Sequence, residues 1–207
     1  MLKQISFVVT AIISFAFAAT VHAEDPLRIS SMGIFVFPEY DQPGVLVQYQ
    51  GTVPEKTALP RDISFLVPKG VGIAAACGIK ADGTHTSETW KESDAADGLT
   101  QVTYKLSEPN FHVEYYYNPL VGSPDKKMEF VYKALLPADE IGLDIQHPLK
   151  ATNFVLSPEA SNLHKDNDGF TYHSYTFKQV AAGAQISTNI AYTKTDSSPS
   201  ITKPASA

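Results

Sequence analysis

The chain has 207 residues, with 22 Asp and Glu against 16 Lys and Arg (net charge −6), 43% hydrophobic and 18% charged side chains, and one cysteine. That balance is globular rather than disordered, and an acidic chain with scattered basic residues does not attract a phosphate backbone, which argues against nucleic acid as a partner. A single thiol closes no internal disulfide, so stability must come from packing.

From the amino terminus, Met1-Leu2-Lys3 is a short positive start and residues 5–19 are apolar apart from hydroxyl side chains. Val21-His22-Ala23 then places small side chains at the two positions a signal peptidase reads. Residues 1–23 therefore read as a secretory signal peptide. The apolar run is short of the ~20 residues a membrane span needs, and no second long apolar run follows. The expected mature chain has no transmembrane segment and resides in the periplasm or is secreted. Residues 24–193 are expected to form a β-sandwich domain and 194–207, rich in Ser, Thr and Pro, a flexible tail.

Prolines at 26, 38, 43, 54, 60, 68, 109, 119, 124, 137, 148 and 158 divide the chain into short segments rich in Val, Ile, Phe, Tyr and Thr. Proline is tolerated mainly at strand ends and edges, so this spacing predicts short strands. They are placed at 27–37, 45–53, 62–67, 72–80, 84–91, 100–106, 111–117, 127–136, 140–146, 152–156, 171–178 and 184–193. Within Val45-Leu-Val-Gln-Tyr-Gln50 the odd positions are apolar and Gln48 and Gln50 face out, the period-two pattern of antiparallel sheets with one wet face. Ala81-Asp82-Gly83 and Asp166-Asn167-Asp168-Gly169 read as hairpin turns. The expected fold is all-β, an antiparallel sandwich of jelly-roll type with about twelve strands and almost no helix. The break at 118–125 could separate two smaller sandwiches, and one domain is preferred because each half alone would have a meagre core.

Few residues stand out chemically. Cys77 lies in a small-apolar run and reads as core filler. Lys126-Lys127 and Lys165 read as isolated solvated charges. The histidines make no sequence-local metal motif, though His112 and Glu114 share a strand face and His173 could supply a further ligand. Asp166 to Gly169 lacks the alternating oxygens of a calcium loop. No Gly-x-Ser-x-Gly elbow or phosphate loop occurs, so no catalytic residue and no cofactor are assigned. The candidate ligand-binding residues are Trp90, on an otherwise polar strand, and Tyr116, which shares its strand face with His112 and Glu114. Exposed aromatics on a sandwich face stack on sugars or on protein partners, although Trp90 could equally turn inward to cap the core.

The segments Phe37-Pro-Glu-Tyr-Asp-Gln-Pro-Gly-Val-Leu-Val-Gln-Tyr-Gln-Gly51, Asn110-Phe-His-Val-Glu-Tyr-Tyr116 and Asp168-Gly-Phe-Thr-Tyr-His-Ser-Tyr175 resemble a family of exported bacterial β-sandwich domains. Members are sometimes part of larger membrane-attached proteins and occur beside c-type cytochrome systems. The resemblance spans roughly 27–193 and implies fold and compartment, with no chemistry attached to single residues. The expected function is an exported, non-catalytic binding or accessory module. Its partner would be a glycan or an envelope protein, with a possible link to extracytoplasmic redox proteins. The alternatives are a small hydrolase acting on envelope polymer and an assembly subunit that pairs through an edge strand.

Overall fold

The structure, a computed structural model, describes residues 26–201; the expected signal at 1–23 lies outside them. Among the described residues the chain is all-β, with fourteen strands numbered along the chain and no helix. No helix among them is long and apolar enough to cross a membrane. One layer is an eight-stranded sheet in the order β12 (Asn162–Lys165), β13 (Thr171–Val180), β10 (Ala138–Gln146), β1 (Ile29–Pro38), β2 (Val45–Thr52), β8 (Asn110–Tyr117), β4 (Gly72–Ile79) and β5 (His85–Ser87). Two three-stranded sheets cover it: β11 (Thr152–Ser157), β14 (Gln185–Thr193) and β9 (Asp125–Lys133), then β3 (Arg61–Pro68), β7 (Leu99–Leu106) and β6 (Trp90–Asp94). Strands from both sides of the 118–125 break share the large sheet.

The core lies between the layers because alternate residues of each strand are apolar. Ile34 and Val36 of β1, Val45, Val47 and Tyr49 of β2, and Phe111, Val113 and Tyr115 of β8 are buried on the inner face. Tyr49 joins all three sheets. Its ring lies 5.9 Å from Phe65 of β3 and 5.4 Å from Tyr132 of β9, and its hydroxyl is 3.0 Å from that of Tyr115. Buried hydroxyls need such partners, since an unpaired one costs about 1–3 kcal/mol.

Several expectations change. The sheet is not purely antiparallel, because β1 and β10 pair in parallel, with Gly33 opposite Gly142 and Phe35 opposite Asp144. The strand expected at 84–91 is two strands in different layers, β5 on β4 and β6 on β7. β12 was not foreseen.

The tail at 194–207 is corrected as far as residue 201. The amides of Ser200 and Ile201 donate to the carbonyls of Glu39 and Tyr40, and Leu149 N–H donates to Ser200 Oγ. The Lys194 side chain is fully buried, and its ammonium donates to the carbonyls of Asp196 and Ser198. It lies 3.5 Å from Glu39 Oε1, which also accepts a 2.5 Å bond from Lys126, while Tyr192 donates to Glu39 Oε2 at 2.8 Å. Lys126 is therefore no isolated solvated charge but part of a buried ionic knot that ties the β1–β2 turn to β9 and to the chain after β14.

Candidate functional site

With both small sheets packed on one face of the eight-stranded sheet, its other face is open. On β1 the outward residues are Gly33, Phe35 and Phe37; the two phenyl rings are stacked 6.3 Å apart at 20° and half-buried. On β10 they are Gly142, Asp144 and Gln146, on β13 Tyr172 and Ser174, and on β12 His164. Two strand spacings, ~9–10 Å, separate β1 from β13. Their aromatic side chains form the walls of a groove of about 320 Å³ running over β10.

The walls are held in place. Phe37 meets Tyr172 edge-on at 6.4 Å, closing one end of the groove over the fully buried Gln146. Gln146 Nε2 donates to the Tyr172 hydroxyl at 2.7 Å, and that hydroxyl donates to Asp166 Oδ2 at 3.1 Å. Burial, reinforced by the hydrogen bond to Asp166, pushes the Tyr172 phenol up to about 12, so it stays protonated as a donor. His164 stacks on Tyr172 at 5.2 Å and 12°. The expected turn at Asp166–Gly169 is the β12–β13 hairpin, in which Asp166 Oδ1 accepts the amides of Asp168 and Phe170. The turn thus carries a groove residue, Asp166. Ser174 Oγ donates to Asp144 Oδ1 at 2.5 Å and lies 3.2 Å from His164 Nδ1. Gln48 and Gln50 of β2 complete the opposite rim.

Three of the four residues singled out from sequence lie on this same open face, on β8, two strands from β1. Gln48 donates to Glu114 Oε2 at 3.0 Å, which links Glu114 to the groove wall. His112 Nε2 lies 3.6 Å from that oxygen, and only 7% of His112 is exposed. Tyr116 is half-buried and its hydroxyl donates to Asp41 Oδ2 at 2.9 Å. Trp90 is elsewhere. It sits on β6 in the opposite layer, partly packed on the core, and its indole N–H donates to Glu92. It shares no surface with Tyr116.

Cys77 is buried, as expected of a filler, yet it points to the open face, under His85, whose Nδ1 is 3.4 Å from the sulfur. Burial raises its thiol pKa, and Glu114 and Glu88 add to the rise, so the thiolate is disfavoured. His173 does not converge with His112. It faces the core side of β13, its ring tilted against Phe154 at 4.7 Å and 35°. Among the described residues no cluster of three or more His, Cys, Asp or Glu could hold a metal ion.

Sequence reasoning missed Phe35, Phe37, Asp144, His164 and Tyr172. One signal was present: in Ile34-Phe-Val-Phe37 both faces of the strand are apolar, so two phenylalanines had to point away from the core. A second cleft of about 350 Å³ near Pro26 and Pro54 is lined by Arg28, Lys56 and Arg61 but by no aromatic ring.

No protein-family model and no curated protein matches the chain. Among solved structures, it is similar to a Parabacteroides distasonis protein provisionally named a protease, with TM-score 0.41 and 14% identity. The match covers 83% of this chain and 41% of that one, so the chain spans less than half of that protein's length. Similarity at this level transfers no activity.

Proposed function

We propose that this protein is an exported, non-catalytic glycan-binding module whose ligand lies in the groove over β10. The observation that carries this reading is the pairing of fixed aromatic walls with planar polar side chains in one open groove. Sugars present apolar C–H faces and a rim of hydroxyls. Phe35, Phe37 and Tyr172 offer ring surface to the first, and Asp144, Gln48 and Gln50 offer acceptors and donors to the second. The walls are ordered before any ligand arrives, through Gln146, Asp166 and Ser174, which lowers the entropy cost of binding. The export signal read at 1–23 would bring this face to envelope or extracellular glycans.

The assembly alternative finds less support. Four of the six edge strands are short: β5 has three residues, β12 four, β6 five and β11 six, whereas β9 and β3, the facing edges of the two small sheets, have nine and eight. β6 also carries Lys91, Glu92 and Asp94, and the β11 pairing has a register shift, both of which blunt edge pairing.

The test is calorimetric titration of the mature protein with a panel of neutral, amino and acidic oligosaccharides, repeated with Phe37→Ala. Binding by the wild type, weakened about tenfold or more in the variant, is expected, corresponding to about 1.4 kcal/mol. Specific retention of an envelope protein with no glycan bound would contradict the reading.

A further inference from the structure

Taking the groove as a glycan site, we infer that it selects sugars bearing a free amino group, as in a de-N-acetylated hexosamine polymer, and rejects uronic or phosphorylated glycans. The inference rests on the charge and floor of the groove. Two carboxylates, Asp144 and Asp166, line it, and no Lys or Arg does. Both are satisfied by neutral donors alone: Ser174 for Asp144, and Tyr172 with two backbone amides for Asp166. Neither has a cation within ion-pair distance among the described residues. Glu114 reaches the rim through Gln48 and adds a further acid to the groove's surroundings. Lys178, also outward on β13, lies opposite Glu140, four residues before Asp144 on β10, and its ammonium is 4.0 Å from the Glu140 carboxylate.

The negative field is felt by neighbouring groups. Burial first, and then Asp168, Asp41 and Asp166, raise the Tyr40 phenol near the closed end of the groove.

The floor is open over Gly142, whereas the Phe35 ring covers the facing Gly33, where a built Cβ would lie 2.7 Å from the ring. Gly33 and Gly142 face each other in register on the two parallel strands. A Cβ built on Gly142 would meet nothing within 4 Å, so no packing demand requires glycine there. A strand-interior glycine is otherwise destabilising by roughly 0.5–1 kcal/mol relative to Ala, and it marks a place where a ligand or backbone approaches closely. A hexosamine lying over Gly142 with one face on Phe35 has its amino substituent within reach of Asp144, one pleat along the same strand face. An ammonium there forms an ion pair with Asp144, whereas the N-acetyl group offers a single amide N–H and no positive charge.

The experiment titrates the mature protein at about pH 6 with a glucosamine oligomer, its fully N-acetylated counterpart, an oligogalacturonate of equal length and a lysine-rich peptide of equal charge. Each titration is run at low and high salt. The expected result is binding of the amino sugar at least tenfold tighter than of the acetylated one, a preference that weakens with salt. Asp144→Asn should erase the preference, bringing the two hexosamine oligomers to equal affinity whatever the effect on the absolute value. Gly142→Leu, whose Cβ has open space around it, puts an apolar side chain over the floor and should abolish binding of both while the protein still folds, as a cooperative melting transition checks. Equal affinity for the two hexosamine oligomers, or tighter binding of the galacturonate, overturns the amine selectivity and leaves the glycan reading standing. Tighter binding of the peptide overturns it as well, because charge without sugar would then suffice. No binding of any oligosaccharide overturns both readings, and wild-type binding by Gly142→Leu overturns the placement over β10.

Discussion

Tyr172 shows how single side chains are committed to the open face. Its ring is fixed between His164 and Phe37, and its hydroxyl between Gln146 and Asp166, so it presents a surface of defined orientation at little further entropic cost. Trp90 lies in the opposite layer, packed partly on the core. As the only tryptophan, it is a ready control: its fluorescence should not change when a glycan binds, and Trp90→Phe should bind as the wild type does. A large spectral shift on binding would move the site to β6. His173 has a different role. It is half-buried beside Phe154 and His147, and burial, helped by His147, lowers its pKa from 6.5. The unfolded chain therefore takes up a proton at His173 before the folded chain does. Its effect on stability is absent above about pH 6.5 and grows as the pH falls below that value. Melting temperature is expected to drop between pH 7 and pH 5, and less steeply in His173→Phe; identical slopes would show that His173 does not titrate in this way.

At the scale of elements, the segment after β14 belongs to the folded structure through Lys194 and its contacts with Glu39, Asp196 and Ser198. Breaking a buried pair by removing one partner costs about 3–5 kcal/mol, and each kcal/mol shifts melting by roughly 2–4 °C in a protein of this size. Glu39→Gln, and separately deletion from Lys194 onward, should each lower the melting temperature by several degrees or more; an unchanged value in both would mean that the knot is dispensable. Much of the strand pattern was legible because the core demands it. The alternation in Val45-Leu-Val-Gln-Tyr-Gln50 correctly set Val45, Val47 and Tyr49 inside. It failed where no core demand exists. β12 is exposed along its whole length and held by backbone pairing to β13, so it carries no hydrophobic signature. The run at 84–91 reads as one strand because a local pattern cannot reveal that His85 and Trp90 join different layers. The groove was illegible for a related reason. Phe35, Asp144 and Tyr172 meet only through the parallel pairing of β1 with β10 and the addition of β13, contacts between strands far apart in sequence. His112, Glu114 and Tyr116 were recognisable as one face because they are neighbours on one strand, and they lie at the margin of the site rather than at its centre.

Across the whole molecule, the two small sheets leave one broad face of the eight-stranded sheet uncovered, while Tyr49 and the rings around it hold the layers together. Stability and binding are thereby assigned to opposite faces of the same strands. Phe130→Ala, on the inner side, should cost about 3–5 kcal/mol in denaturant unfolding; a near-neutral result would mean that the inward faces have been inverted. Outward substitutions such as Phe37→Ala should chiefly affect binding. The most direct test of the open face as the binding surface is to map backbone amide shifts by NMR as the tightest-binding oligosaccharide of the panel is added. The expected shifts cluster at Gly33 and Phe35 of β1, Gly142 and Asp144 of β10, and Tyr172 of β13, with β6 and β7 silent. Shifts centred on Trp90 or on the Arg28–Lys56–Arg61 cleft, with the β10 amides unmoved, would contradict the account.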